Sequence, residues 1–464
     1  MIASEYQTMS AFLQLVGALK EPVEENKIYV VAMCSHCKNA IEVYQRMIVQ
    51  KKQTLRIAFL LDSLSGGGAE QVILNLASGF ASAGFTVDLL VCKMKGQLLG
   101  QIPANVTLIS LNSVSSLSGM LCALRADIGC FKLVMATLIR LKKVPGNFRS
   151  LPAIIDYLKK NQPAALLSAL PKSNISAVLA GSCCSGSTRI AVGMHSHYSA
   201  GSQFEKKENS IKDAYMLAMM RRYYGRADVV IAVSNGTKND ACEVLELPQD
   251  QVAAVYNPVA THDITELREE APDHPWLAVG DIPVIIGIGR FVAEKDFPLL
   301  LDAFAKVRQE RQVRLIFLGG DFTAHDQRSL KTQLLEQAEQ LGVAVDIDMP
   351  GFVDNPFAYL SKAGVFVLSS ACEGFGNVLV EALLCGCPVV STDCPGGPAE
   401  ILENGKYGEL VPVGDKRGLA DAICRALDAP LNREFLRTRG SEFSVEASVE
   451  KYRRLLFESG SLHP

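Results

Sequence analysis

The sequence predicts an α/β protein with parallel sheets in two domains, and three observations carry this prediction. A chain of 464 residues is long enough for two domains that each bury a core of their own. Short apolar runs, such as Leu55–Leu61, which is interrupted only by Arg56, and the unbroken Val365–Leu368, are typical of parallel strands buried on both faces. Several of these runs lead into a glycine-rich loop and then a helix, which is the order of a βα unit.

The composition is that of an ordinary globular protein. Hydrophobic residues make up 48% of the chain and charged residues 20%, which argues against disorder, and a net charge of −3 gives no general attraction for nucleic acid. No segment reaches 18 uncharged apolar residues, and Glu5 and Gln7 precede only a short apolar stretch, so we expect neither a transmembrane helix nor a signal peptide. The 13 cysteines are odd in number and scattered, which favours a reducing compartment. We therefore expect a cytoplasmic protein.

Residues 1–54 are interpreted as an N-terminal extension of unknown role. They contain weak helical patterns around a small apolar run. Cys34 and Cys37 form an isolated CxxC pair, and because no second pair follows at zinc spacing, we predict no metal site.

The first confident strand, residues 55–61, leads through the loop DSLSGGGAE into a helix that begins near Ala69. Three glycines at such a turn expose backbone N–H groups, and the helix dipole adds positive potential, which suits a diphosphate. A tight turn needed for packing explains the glycines equally well. Further strands are predicted at residues 86–91, 106–109, 164–167, 189–192, 228–233 and 252–256.

The region of residues 117–160 has a distinct basic character. It carries eight Lys and Arg residues against Asp127 and Asp156, an excess of six positive charges among Leu, Ile, Met and Phe. An apolar face with cationic flanks is typical of a helix that docks on an anionic bilayer. A helix packed on the core with a solvated basic face is the alternative.

Two cations open the second half of the chain, after an Asp-, Glu- and Pro-rich linker at residues 259–281. Arg290 follows a strand at residues 284–288, and Lys295 precedes a helix. At a strand end and a helix start, such cations suit a leaving diphosphate. Ion pairs with Glu294 or Asp296 are the alternative. Strands are also predicted at residues 314–318 and 345–348, and a helix at residues 444–457.

Two carboxylates stand out in the stretch VFVLSSACEGFGNVLVEALLCGCPVVSTDCPGGPAEIL, residues 365–402. Glu373 lies in a glycine-containing loop between a strand and a helix, and Glu381 is the only charge on that helix. An unpaired buried carboxylate is costly, so Glu381 needs either a salt bridge or a polar ligand such as a ribose. A second buried strand is predicted at residues 388–391.

Glu373 and Glu381, separated by seven residues in EGFGNVLVEAL and followed by GCPVVSTDCPGGPAEIL, resemble the signature of retaining glycosyltransferases of family 4. The resemblance extends from about Leu55 to Phe457. It implies the GT-B fold, in which two Rossmann-like, doubly wound parallel-sheet domains face a central cleft. The implied divisions are an N-terminal acceptor domain at 55–258, a linker at 259–281, a nucleotide-sugar-binding domain at 282–443, and a segment at 444–464 whose helix crosses back to the first domain.

The resemblance also implies roles for residues of both domains. In GMHSHYS, it favours His195 over His197 as a cleft residue near the transferred sugar. It implies that Glu373 binds hydroxyls of the donor sugar, Glu381 those of the ribose, and Phe352 the nucleobase. The implied catalytic residues are His195, Arg290, Lys295 and Glu373, and the implied substrate-binding residues are Gly66, Gly67, Gly68, Phe352, Gly374, Phe375, Gly376, Asn377, Val378 and Glu381.

The expected activity is sugar transfer from a nucleotide sugar, most simply a UDP-sugar, to a saccharide or lipid-linked acceptor in cell-surface glycan synthesis. The resemblance implies retention of configuration by front-face attack. Because Arg290, Lys295 and the helix N-termini would stabilise the leaving diphosphate, we expect no requirement for a metal ion, and we expect no cofactor. A nucleotide-sugar 2-epimerase and a non-catalytic partner subunit of the same fold are the alternatives. The basic region would place the protein at the inner face of the plasma membrane.

Overall fold

The computed structural model describes residues 55–135, 148–204, 211–261, 263–278, 282–320 and 329–458. The predicted N-terminal extension with its CxxC pair lies outside the described residues. The same holds for Arg140, Lys142 and Lys143 of the basic region.

Thirteen strands of the described chain form two sheets in which every pairing is parallel. The seven-stranded sheet has the order β3-β2-β1-β4-β5-β6-β7, and the six-stranded sheet has the order β10-β9-β8-β11-β12-β13. The strands are β1 Arg56–Leu61, β2 Thr86–Val91, β3 Val106–Ser110, β4 Ala165–Ala169, β5 Arg189–Met194, β6 Val229–Ala232, β7 Val252–Ala254, β8 Val284–Ile288, β9 Arg314–Leu318, β10 Ile347–Gly351, β11 Val365–Leu368, β12 Val389–Thr392 and β13 Glu409–Val411.

The predicted fold class of two Rossmann-like parallel-sheet domains is confirmed. In each sheet the strand order reverses once, between β1 and β4 and between β8 and β11. Ligands of open α/β sheets bind at the carboxyl ends of the strands on either side of such a reversal. The loops that follow β1, β8 and β11 are therefore the places where a site is expected.

Helices connect and cover the strands. Their bounds are α1 Gly68–Ser82, α2 Ser116–Ala126, α3 Leu151–Asn161, α4 Pro171–Ser182, α5 Tyr198–Phe204, α6 Ile211–Tyr223, α7 Asn235–Leu245, α8 Ile264–Leu267, α9 Pro275–Ala278, α10 Phe297–Glu310, α11 Leu330–Gln340, α12 Pro356–Lys362, α13 Asn377–Leu384, α14 Pro398–Ile401, α15 Lys416–Asp428, α16 Arg433–Ser441 and α17 Val445–Phe457. No helix in these described ranges is long and apolar enough to cross a bilayer.

The last of these helices, α17, completes the core beneath the first sheet. Val449 and Tyr452 lie in one buried cluster with Phe59 and Phe80. Gly79 of α1 permits this contact, because a Cβ there would lie 2.5 Å from the Val445 side chain. The predicted domain boundaries at 258, 282 and 443 stay predictions.

Most predicted strands differ from the observed ones by one or two residues at an end, as Ala165–Ala169 and Val252–Ala254 do from the predicted 164–167 and 252–256. The strand predicted at 345–348 begins at Ile347, because Ala344–Asp346 forms a 3-10 turn that leaves Val345 85% exposed. The strand predicted at 388–391 is Val389–Thr392.

Candidate active site

Two helix N-termini, one from each domain, face each other between the sheets. Helix α1 has Gly67 at its N-cap and α13 has Gly376, and neither helix receives a hydrogen bond from a capping side chain. The Asn377 Nδ2 lies 3.7 Å from the position that a Cβ on Gly68 would occupy. First-turn N–H groups and two converging helix dipoles make this gap favourable for an anion.

The glycines of both loops have conformational reasons to be glycine. Gly66 and Gly376 adopt the left-handed region, with φ of 98° and 101°. At Gly67 the reason is steric, because a Cβ there would lie 2.3 Å from Oε2 of the buried Glu70. The carboxylate of Glu70 therefore folds back onto the N-terminus of its own helix, where the dipole favours negative charge.

Lys295 and Glu373 form an ion pair across the loops that follow β8 and β11. The distance between Lys295 Nζ and Glu373 Oε1 is 2.5 Å, and both side chains are largely buried, at 17% and 13% exposed. Ser370 Oγ donates to the same carboxylate oxygen at 2.7 Å. Lys295 is therefore not paired with Glu294 or Asp296, which was the structural alternative.

Glu381 has no comparable partner. Within the described part of the chain its carboxylate makes neither a hydrogen bond nor an ion pair. Burial raises the pKa of Glu381 to about 7, and the nearby Lys295 opposes this rise. The salt bridge considered from sequence is absent from the described residues, which leaves this carboxyl able to bind a ligand.

Arg290 and Phe352 extend the same edge of the second sheet. Arg290 follows β8 and is exposed, without an ion pair to a described residue. Phe352 follows β10 and is 72% exposed, an unusual position for a large aromatic side chain. The intervening loops are in close contact, since a Cβ on Gly319 would lie 2.0 Å from the carbonyl oxygen of Gly289.

His195 brings the first domain to the Glu373 loop. A Cβ on Gly374 would lie only 2.1 Å from the His195 carbonyl oxygen, so the two loops touch. The His195 Nδ1 is buried without a hydrogen-bond partner, and burial lowers the pKa of this imidazole to about 4. The ring is therefore neutral at pH 7.

His197 has a different environment. Its Nδ1 lies 3.3 Å from Asp240 Oδ1, and Asp240 also accepts from the backbone N–H groups of Tyr198 and Ser199 at the start of α5. His197 thus belongs to a structural cap, whereas His195 lies against the loop from the other domain.

The loop residues after Glu373 divide between the site and the core. Val378 is half-buried in the first turn of α13. The Phe375 side chain is 2% exposed and stacks on Tyr256 with ring centroids 5.4 Å apart. Phe375 therefore contributes its side chain to packing between the domains, and the ligand contact that the resemblance implies for this residue stays a prediction.

Sequence reasoning missed the contacts that hold the two domains together at the site. The Gly374 carbonyl accepts hydrogen bonds from Ser234 Oγ and Thr237 Oγ1, both at 2.8 Å. Glu400 accepts from the backbone N–H groups of Asn235 and Gly236, at 3.0 and 2.9 Å, and so caps α7 from the other domain. No local signal in the sequence indicates these partners, which lie 137 to 165 residues apart along the chain.

A separate surface of the first domain exposes four large apolar side chains. Leu117, Leu121, Ile128 and Phe131 are 55%, 49%, 82% and 50% exposed, and we call them the apolar patch. Next to them along the chain is a groove of about 650 Å³ between the segment after α2 and helix α6. It is lined by Gly129, Lys132, Leu133, Ala214, Leu217, Ala218, Arg221 and Arg222.

Comparison with known families gives a match in each half of the chain. Residues 66–263 match the family described as Glycosyltransferase Family 4, and residues 273–443 match the family described as Glycosyl transferases group 1.

Two curated relatives are similar over part of their length. An N-acetylgalactosamine-N,N'-diacetylbacillosaminyl-diphospho-undecaprenol 4-alpha-N-acetylgalactosaminyltransferase from Campylobacter jejuni is 27% identical over 220 residues, which are 47% of this chain and 55% of that protein. The lipopolysaccharide core biosynthesis glycosyltransferase LpsE of Rhizobium meliloti is 35% identical over 181 residues, 38% of this chain and 50% of that protein. The chain thus spans about half the length of these relatives.

Among solved structures, the Anabaena protein HepE in complex with UDP and glucose superposes with a TM-score of 0.64 at 18% identity. The match covers 87% of this chain and 99% of HepE. At this identity the likeness is one of fold.

Proposed function

The chain belongs to glycosyltransferase family 4, of the group 1 type, and from that premise we propose that it transfers a sugar from a nucleoside-diphosphate sugar to a saccharide or lipid-linked acceptor. The single observation that carries this proposal is the pair of facing helix N-termini, which have no side-chain caps; Lys295 is paired with Glu373 in the loop that precedes one of them. This arrangement suits the diphosphate that departs in such a reaction.

The bond that breaks joins the anomeric carbon to a diphosphate oxygen, and negative charge grows on the departing group. The N-termini of α1 and α13, with Arg290 and Lys295, would stabilise that charge. Removing one preorganised donor of this kind costs about 3–4 kcal/mol of barrier, a factor of about 10² to 10³ in rate. No metal ion is required in this scheme.

Glu373 and Glu381 take different parts of the donor in this proposal. Glu373 is held by Lys295 and Ser370 and accepts hydrogen bonds from hydroxyls of the transferred sugar. Glu381 has no described partner and binds the ribose hydroxyls. The exposed Phe352 loop contacts the nucleobase.

Transfer proceeds with retention of configuration by front-face attack. The acceptor oxygen bonds to the anomeric carbon on the face from which the diphosphate leaves, and a phosphate oxygen of the departing group takes the acceptor proton. His195, neutral at pH 7, lines the cleft beside the Glu373 loop and hydrogen-bonds to the sugar or the acceptor.

The relatives favour a UDP-sugar as donor and a cell-surface glycan as product. HepE was crystallised with UDP and glucose, and the two curated relatives are named for undecaprenol-diphosphate-linked and lipopolysaccharide substrates. An acceptor of that kind carries a lipid at a membrane surface.

We place the protein at the cytoplasmic face of the plasma membrane, with the apolar patch against the bilayer. Leu117 and Leu121 are four residues apart on α2 and share a face. Arg125 and Lys132 are exposed beside the patch and complement anionic headgroups. Asp127 adds little repulsion, because Arg222 binds its carboxylate at 2.7 and 2.8 Å.

A thermal-shift panel with UDP, GDP, ADP and their sugar conjugates, each with and without EDTA, tests the donor class. A ligand at a hundred times its dissociation constant adds about 2.7 kcal/mol of stability. We expect a response to UDP compounds that EDTA leaves unchanged. NMR of the glycoside product then reports its anomeric configuration. If a folded sample shows no thermal shift with any compound, a non-catalytic subunit is favoured. If the NMR spectra show epimerised donor sugar and no transfer product, an isomerase is favoured.

A further inference from the structure

An amide pair crosses between the domains at the edge of the anion gap. Asn257 Nδ2 donates to Asn377 Oδ1 at 2.7 Å. Asn377 is the first residue of α13, and its own Nδ2 lies 3.7 Å from the position of a Cβ on Gly68. The amide of Asn377 therefore lies between the two helix N-termini.

Asn257 is held firmly by its neighbours in the chain. Ser448 Oγ donates to the carbonyl of Tyr256 at 3.0 Å, and Asn75 Nδ2 donates to the carbonyl of Pro258 at 2.7 Å. Asn257 itself is 5% exposed. Its amide thus projects from a fixed backbone, so its direction toward Asn377 is set by the fold.

Stability alone does not account for an asparagine at this position. Its Oδ1 is buried without a hydrogen-bond partner, and an unsatisfied buried acceptor carries a desolvation cost. Among the described residues, the Asn257 side chain forms its hydrogen bond with Asn377.

That bond decides which end of the Asn377 amide faces the gap. An amide whose oxygen is already engaged presents its NH₂ group, which carries two donors. A diphosphate is rich in acceptor oxygens and is bound best by donors. With the opposite orientation, Asn377 would present an acceptor to the phosphates and repel them.

We propose that Asn257 is a positioning residue. It orients the Asn377 amide so that the Asn377 Nδ2 donates a hydrogen bond to the diphosphate of the nucleotide sugar. This inference rests on the proposed function, since it assumes that the anion gap binds the diphosphate. Because Asn257 belongs to the first domain and Asn377 to the second, the orienting contact exists only while the two domains are together.

The test compares UDP with uridine on the full chain. Asn257→Leu keeps the approximate size of the side chain and removes the donor. We expect it to weaken UDP binding about tenfold, equivalent to about 1.4 kcal/mol, and to change uridine binding less than twofold, both measured by calorimetry or ligand-observed NMR. Asn161→Leu is the matched control, because it removes another asparagine hydrogen bond, from Nδ2 to the Tyr157 carbonyl at 3.1 Å, outside the segment that holds Asn257.

A second variant keeps the test valid if Asn257→Leu does not fold. Asn257→Asp has the same shape but is an acceptor only at neutral pH, so it would turn the Asn377 NH₂ away from the phosphates. A loss of UDP affinity larger than that of Asn257→Leu, with uridine binding retained, supports the inference. Equal losses for UDP and uridine, or unchanged UDP affinity in both variants, would overturn it. If the unaltered protein binds neither UDP nor another nucleoside diphosphate, the proposed function itself fails.

Discussion

Replacing Lys295 with methionine separates its chemical from its structural contribution. The change removes the cation that faces the departing diphosphate, so we expect kcat to fall by a factor of about 10² to 10³, or about 3–4 kcal/mol of barrier. It also strips Glu373, which is 13% exposed, of its partner at 2.5 Å. Leaving that carboxylate with only Ser370 as a partner should cost about 1–3 kcal/mol of folding stability.

Two further variants make this test decisive. Lys295→Met/Glu373→Leu removes both partners and should recover stability, but kcat should stay low. Lys416→Met is the matched control, because Lys416 also forms a 2.5 Å pair, with Asp302, and its pair is more exposed. Initial rates with saturating UDP-sugar, together with urea unfolding, supply both quantities. A Lys295→Met enzyme whose kcat stays within threefold of the unaltered protein would refute the assigned role.

Three other predictions follow from particular residues. Glu381→Gln should weaken UDP-sugar binding. It should also change how stability depends on pH. The pKa of Glu381 is raised from 4.5 to about 7, so ionisation of the native carboxyl lowers folding stability by up to about 3 kcal/mol as the pH rises through this interval. The Glu381→Gln variant should therefore be more stable than the unaltered protein at pH 8 but not at pH 4. If the two proteins had the same urea midpoint at pH 8 as well as at pH 4, the raised pKa of Glu381 would be contradicted. Ile128→Glu should abolish sedimentation with anionic vesicles while leaving kcat on a soluble acceptor unchanged, whereas Val345→Glu, at a similarly exposed site, should leave sedimentation intact. Glu400→Gln removes a charge that caps α7 from the other domain and should lower unfolding stability by about 0.5–1 kcal/mol; an unchanged urea midpoint would show that this cap is not needed.

The fold was predictable because its signals are local. Buried parallel strands are apolar throughout, and the glycine-rich loops after β1 and β11 mark where the chain turns into a helix. The predicted ends of strands were wrong where the local sequence signal was ambiguous. Val345 has the side chain of a strand residue but lies in an exposed 3-10 turn.

The site was less predictable, because its contacts join residues far apart in sequence. Lys295 and Glu373 are 78 residues apart, and nothing near Lys295 distinguishes that partner from the adjacent Glu294 and Asp296. No signal in the sequence around Asn257 indicates its contact with Asn377, because that contact depends on how the two domains meet. The lack of a described partner for Glu381 is likewise a property of the assembled cleft.

Helix α17 has a consequence for the order in which the protein matures on the ribosome. The strands of the first sheet are synthesised early, but Val449 and Tyr452, which cover one face of that sheet, are translated only after the whole second sheet. Until then the apolar surface around Phe59 and Phe80 lacks its cover, and such surface invites aggregation. We therefore expect nascent chains of this protein to need chaperone protection until residues 445–457 have emerged, and a chain shortened before them to lose the packing of the first domain.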